Sequence, residues 1–156
     1  RGHYFVLTAY HVTEDKPVII GEVGGQILPL TLFVHNKTTD TAILKVSPYE
    51  GVKPLKLRLA NQNGVKVGQK VLYTGYPNLT GPLTIYGTVS GFLQSYAWGG
   101  ASGSAVLDYR GRLIGIVVGI EVVTSMTGLP SENENVILIK RFEEGLLKHV
   151  DFLLDN

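Results

Sequence analysis

From residue 3 to residue 140 the chain repeats one pattern: a short run rich in Val, Ile, Leu, Thr and aromatic residues, then a break of Gly, Pro, Asn or Asp. Side chains branched at Cβ fit a pleated, half-buried surface, and the breakers supply the turns between such surfaces. The pattern predicts strands at 3–8, 17–23, 26–35, 42–47, 69–75, 82–91, 104–108, 111–121 and 135–140. Gly24-Gly25 reads as a two-residue hairpin turn, whose central positions need positive φ, and Tyr109–Gly111 closes another. The period changes near the end. Phe142, Leu146, Leu147, Val150, Leu153 and Leu154 recur three to four apart, with Glu143, Glu144, Lys148 and Asp151 between them. That stripe predicts a C-terminal α-helix over 141–156, weakened by Gly145. Strands throughout and one terminal helix suit an all-β barrel or sandwich and argue against βαβ units. The loop at 48–68 is the natural joint, giving an N-terminal half at 1–50, a linker at 51–68 and a C-terminal half at 69–140.

Composition removes several classes of function. A chain of 156 residues with 44% hydrophobic and 17% charged residues can bury a core, and is not of the disordered type. A net charge of +1 leaves no footprint for nucleic acid, and the densest basic group, Lys53, Lys56 and Arg58, reads as a solvated edge. No apolar run reaches the roughly 18 residues of a membrane-spanning helix, and no signal peptide is visible. The absence of cysteine excludes disulfides, thiol catalysis and cysteine-ligated zinc, and leaves the compartment open. His3, His35 and His149 have no paired spacing, so no metal is expected. No phosphate-cradling loop is present, and no cofactor is implied.

Three segments carry potential chemistry. His11 lies just past an apolar strand in Leu7-Thr8-Ala9-Tyr10-His11-Val12. Asp40 stands at the mouth of a buried strand in Thr39-Asp40-Thr41-Ala42-Ile43-Leu44. Ser102 sits in the glycine-rich turn Gly99-Gly100-Ala101-Ser102-Gly103-Ser104. Each has a plainer reading alone: a packed or exposed histidine, a turn-forming aspartate, a tight turn. Peptide hydrolysis by serine needs a base for the hydroxyl proton, a carboxylate to orient that base and backbone donors for the oxyanion. The segments supply one candidate for each role. Ser104 is the rival nucleophile but has no upstream glycine pair. Asp15, Asp108 and Asp151 read as solvated turn or helix-surface residues. Tyr73, Tyr76, Tyr86, Tyr96 and Trp98 could line a substrate cleft, although barrel packing suits most of them better.

These segments resemble the TAAH(C/V), D-I-A-L-L-K and G-x-S-G-G-P signatures of trypsin/chymotrypsin-like peptidases. Val67-Gly68 through Gly75-Tyr76-Pro77, then Thr84–Gly87 and Val89-Ser90-Gly91, resemble the cysteine-free HtrA-type and related bacterial or viral branch, as does Gly111-Arg112-Leu113-Ile114-Gly115-Ile116. The resemblance implies two packed antiparallel six-stranded-type β-barrels with a C-terminal helix. It implies a serine endopeptidase in which His11 is the base, Asp40 its orienting carboxylate and Ser102 the nucleophile. It also implies an oxyanion hole from the N–H groups of Gly100 and Ser102, and substrate contacts from Tyr96, Ala97, Val117, Val118, Gly119 and Ile120. The partner would be a protein or peptide, with no metal and no nucleic acid. Tyr10 stands where the family has alanine, and Ser104-Ala105 replace Gly-Pro. Val118 replaces a serine that bonds the triad acid, so Asp40 would need other partners. Tyr96, in place of an acid, disfavours cleavage after basic residues and points to small or medium apolar ones. With only four strands predicted before the joint, the first barrel would lack its opening strand. Two other readings stand beside turnover: an inactive protease-fold module, or a triad limited to self-cleavage from a precursor or within an assembly.

Overall fold

A computed structural model of the chain describes residues 4–51, 53–54, 58–60, 65–79, 81–89, 93–94, 99–124 and 126–140. They fall into two compact units, one within Arg1–Lys56 and one within Leu57–Arg141. The predicted C-terminal helix, 141–156, lies outside the described residues, among which there is no α-helix.

The first unit is an antiparallel sheet of β1 (Tyr4–Ala9), β2 (Ile19–Val23), β3 (Gln26–Asn36) and β4 (Thr41–Val46), in the order β1-β4-β3-β2. Nearly continuous apolar sequence makes β4 central: Thr41, Ala42, Ile43, Leu44 and Val46 are all buried. It pairs Thr8 with Ala42 on one side and Ala42 with His35 on the other. The long β3 gives its first half to β2 and its second to β4, with a bulge at Phe33, whose ring lies 5.3 Å from that of Phe5. Gly24 and Gly25 make the predicted β2–β3 turn with φ of 57° and 78°. Residues of the two edge strands, Tyr4–Val6 and Gly21–Val23, line one apolar cavity of about 220 Å³ together with Leu28 and Leu30. The sheet therefore curls until its edges face a common space, but it does not close. The four strands predicted before the joint are present, and they form an open half-barrel where the family resemblance implied a six-stranded type. Closure needs a ladder between the two edges, and no described segment supplies one.

The second unit is a closed barrel in the order β10-β7-β6-β5-β8-β9. Its strands are β5 (Lys70–Gly75), β6 (Leu83–Val89), β7 (Leu93–Gln94), β8 (Ala105–Asp108), β9 (Leu113–Thr124) and β10 (Pro130–Lys140). Alternation is clean in β5, where Val71, Tyr73 and Gly75 point inward between exposed Lys70 and Thr74. Val71, Tyr73, Val89, Val106, Ile114 and Val117 form the core with Ala60 and Ala101. Burial pushes the Tyr73 phenol up to about 12, as befits a packing residue rather than a reactive one. Residues 58–60, within the predicted linker, add a short parallel bridge, Leu59 to Leu113, through Leu113 N–H to Arg58 O and Ala60 N–H to Leu113 O.

One expectation is corrected in this unit. Asp108 was expected to be solvated, yet it is 4% exposed. Its Oδ1 accepts the backbone N–H groups of Arg110 and Arg112, and its Oδ2 meets the Arg112 guanidinium at 2.7 Å. Burial by itself would raise this carboxyl, but the bonds from Arg112 and Arg110 outweigh it and hold the group below the ordinary carboxylate range. A carboxyl depressed on folding adds stability above its unfolded value, and that stability is lost as pH falls towards the folded value. Asp108→Ala is expected to cost about 1–3 kcal/mol in urea unfolding at neutral pH, because three part-buried N–H donors lose their acceptor. Asp108→Asn should flatten the loss of stability on acidification; an unchanged acid limb would show that other carboxyls carry it.

Candidate active site

The β1–β4 ladder ends at Ala9 opposite Thr41. The chain leaves β1 into a 3-10 turn, Tyr10–Val12, and enters β4 from Asp40, so His11 and Asp40 emerge side by side. Tyr10 N–H donates to Asp40 O at 3.1 Å, and Thr13 closes the turn by giving its N–H and hydroxyl to Tyr10 O, each at 2.8 Å. Asp40 adopts φ 51°, a left-handed conformation that Asp and Asn tolerate better than most residues. The turn before it is tied by Thr39 N–H to Asn36 Oδ1 at 3.1 Å and Asp40 N–H to Lys37 O at 3.3 Å.

Both carboxylate oxygens of Asp40 then serve His11. Oδ1 accepts the His11 backbone N–H at 2.8 Å, and Oδ2 lies 2.6 Å from ring Nδ1. A carboxylate facing Nδ1 favours the tautomer with the proton on that nitrogen, leaving the Nε2 lone pair free to take another proton. The His11 side chain is 43% exposed and that of Asp40 27%, so the imidazole is accessible and the carboxylate partly shielded. Among the described residues, the second side-chain bond of Asp40 is the one to the His11 backbone N–H.

Ser102 and the glycines belong to the second unit, on the connection between β7 and β8. Ala101–Ser104 is a tight turn closed by Ser104 N–H to Ala101 O at 3.1 Å, with Gly103 at φ 85° in the position that needs positive φ. Ala101 is buried and anchors the turn, while Ser102 occupies its half-exposed corner. Gly103 N–H to Val117 O and Val117 N–H to Ser104 O dock the turn onto β9. The N–H groups of Gly100 and Ser102 have no acceptor among the described residues. The Ser104 hydroxyl packs against Gly75, where a Cβ would come within 2.3 Å of it.

Gly100 is required twice over: its φ is 93°, and a Cβ there would lie 2.5 Å from Tyr76 O. Gly100→Ala should therefore cost about 1–3 kcal/mol and displace the turn from the Tyr76–Asn78 segment. Urea unfolding checks this; an unchanged midpoint would mean that the turn yields freely.

Val117, Val118, Gly119 and Ile120 all lie on β9. Val118 is the extra residue of a bulge, since Leu138 pairs with Gly119 and Ile139 with Val117. Bulges of this kind re-aim a strand and interrupt its pairing. Tyr96 and Ala97 lie outside the described residues. No cluster of potential metal ligands occurs among the described residues. Sequence reasoning missed His35 as a neighbour of the histidine turn: its ring stacks on that of Tyr10 at 4.3 Å. The position of Tyr10, next to His11, was the available signal.

Solved structures share this fold. An HtrA-type protease, AlgW, in complex with a decapeptide matches with a TM-score of 0.75 and 23% identity, over 97% of this chain and 49% of that one. The same protease with a tripeptide matches at 0.70 and 24%, over 93% and 50%. The chain thus spans about half the length of these relatives. No curated protein sequence matches it. The trypsin-like peptidase domain matches residues 1–116, and the chain belongs to that family.

Proposed function

We propose that this chain is the catalytic domain of a serine endopeptidase, with His11 as general base, Asp40 as its orienting carboxylate and Ser102 as nucleophile. The observation that carries the reading is the doubly tethered pair, His11 Nδ1 to Asp40 Oδ2 at 2.6 Å and His11 N–H to Asp40 Oδ1 at 2.8 Å. It supplies an oriented, accessible base in a family of peptidases. In the proposed reaction, Nε2 of His11 takes the Ser102 hydroxyl proton as Oγ attacks the scissile carbonyl. The N–H groups of Gly100 and Ser102 receive the oxyanion, which fits their having no acceptor among the described residues. Collapse of the tetrahedral adduct breaks the C–N bond, and His11 returns the proton to the leaving amine. Water then attacks the acyl-serine with His11 again as base. Peptide as the substrate class draws support from the peptides bound by the AlgW structures.

Substrate backbone would lie along β9 at Val117–Ile120, a β-augmentation mode largely blind to sequence, with side-chain preference coming from Tyr96 and Ala97. A fluorophosphonate probe, with the adduct mapped by mass spectrometry, tests the assignment. Modification of Ser102, dependent on His11, supports it. A folded chain that neither reacts nor cleaves any peptide library would favour the inactive-module reading.

A further inference from the structure

Two side-chain contacts bridge the turn that carries His11 and the β3–β4 region that carries Asp40, and neither belongs to the chemistry assigned above. Tyr10, in the 3-10 turn, lays its ring parallel to that of His35 on β3, with centroids 4.3 Å apart and planes 8° from parallel. Glu14, just beyond the same turn, forms an ion pair with Lys37 of the β3–β4 turn. The pair is exposed, so water and salt screen it. The stacked rings are less sensitive to salt and constrain orientation as well as distance.

We propose that the Tyr10–His35 stack is a positioning brace for the His11–Asp40 pair: it fixes the histidine turn across β4 and so sets where Nδ1 meets the carboxylate. This rests on the triad reading above. The geometry gives the brace something to do. The turn is short, and the residue that caps its start, Ala9, has no side chain able to make a capping bond. A 3-10 turn has weaker hydrogen bonds than an α-helix, and this one holds only three residues. On the other side, Asp40 holds a positive φ, which persists only where its surroundings over-determine it. In the ladder, Thr8, Ala42 and His35 lie in one row across β1, β4 and β3, and Tyr10 follows Thr8 by two residues along the chain. Tyr10 stands just past the end of β1, in the 3-10 turn, and its ring meets that of His35 at 4.3 Å. The aromatic contact thus spans the central strand from the base-bearing turn to the strand that leads into the acid. Tyr10 and His35 touch no reacting atom; their effect passes through His11.

The test uses the whole chain and four variants, Tyr10→Ala, Tyr10→Phe, His35→Ala and His35→Phe, with Lys37→Gln as the ion-pair control. The alanine variants should lower kcat by about tenfold while KM stays within about twofold, because misplacement of a base acts on the chemical step. The phenylalanine variants, which keep two stacked rings, should restore kcat to within about twofold, and Lys37→Gln should leave it there. A readout free of turnover accompanies this: the low-field NMR resonance of the His11 Nδ1 proton, assigned by its loss in His11→Ala. It should be sharp in the parent and in the phenylalanine variants, and broadened in the alanine variants. His35 is exposed, so His35→Ala remains informative if Tyr10→Ala does not fold. Equal losses in His35→Ala and His35→Phe, or kcat and resonance both unchanged in His35→Ala, would overturn the brace. A sharp resonance that responds as expected, in a chain that never reacts with a fluorophosphonate, would leave the brace standing and overturn the triad.

Discussion

Replacing Ser102 with alanine is expected to abolish fluorophosphonate labelling and to lower kcat for peptide hydrolysis by about 10⁶-fold, the loss typical of removing the nucleophile from a Ser-His-Asp triad. Stability should hardly change. Ser102 sits at the half-exposed corner of the Ala101–Ser104 turn, and the turn is held by backbone bonds to β9 and by buried Ala101, none of which uses the hydroxyl. A shift of no more than about 0.5 kcal/mol in urea unfolding follows from a surface change away from any core contact. Ser104→Ala provides the comparison. Its hydroxyl is packed against Gly75, so removing it touches local packing and should leave labelling in place. Full activity in Ser102→Ala with loss in Ser104→Ala would reverse the assignment.

Asp40→Asn is expected to lower kcat/KM by about 10⁴-fold at unchanged fold, again the magnitude typical of such triads. Asparagine tolerates the φ of 51° as well as aspartate does, and its carbonyl oxygen can still accept the His11 backbone N–H, so the turn survives. The difference falls on the other oxygen. Where Oδ2 accepts from Nδ1 at 2.6 Å, the amide presents N–H groups, and a neutral imidazole must answer with a lone pair at Nδ1. Its proton then sits on Nε2, where the serine needs an acceptor. Steady-state kinetics and an unfolding curve on the same preparation separate this from misfolding. A loss of only two- or three-fold would mean that some other acid orients His11.

Much of the fold could be read from alternation and turn residues. All four strands of the first unit fall where Val, Ile and Leu runs predict them, and Gly24-Gly25 and Tyr109–Gly111 close the hairpins expected of them. The failures were of two kinds. β7 is two residues long, too short for any period to register, and the start of β10 at Pro130 runs through Ser, Glu and Asn that carry no hydrophobic pattern. Such segments are strands because a neighbour offers a ladder, which no local signal reports. Asp108 was misplaced for a related reason. Turn composition says that an aspartate will be used by nearby N–H groups, but not that the turn will be sealed so that burial and those bonds compete for its proton.

The sequence by itself determined the order of strands along the chain, the turns, the absence of thiol chemistry, and a histidine and an aspartate each at a strand end. Only the tertiary structure decided that the first sheet curls without closing, while the second closes through six strands. It also decided that Asp40 spends both oxygens on His11, and that Tyr10 reaches His35. The reason is physical. Period and propensity act between residues a few positions apart, whereas carboxylate geometry and ring stacking join residues 25 to 29 positions apart (Tyr10 to His35, His11 to Asp40), and barrel closure pairs Gln94 with Val136, still farther apart; each meeting depends on register.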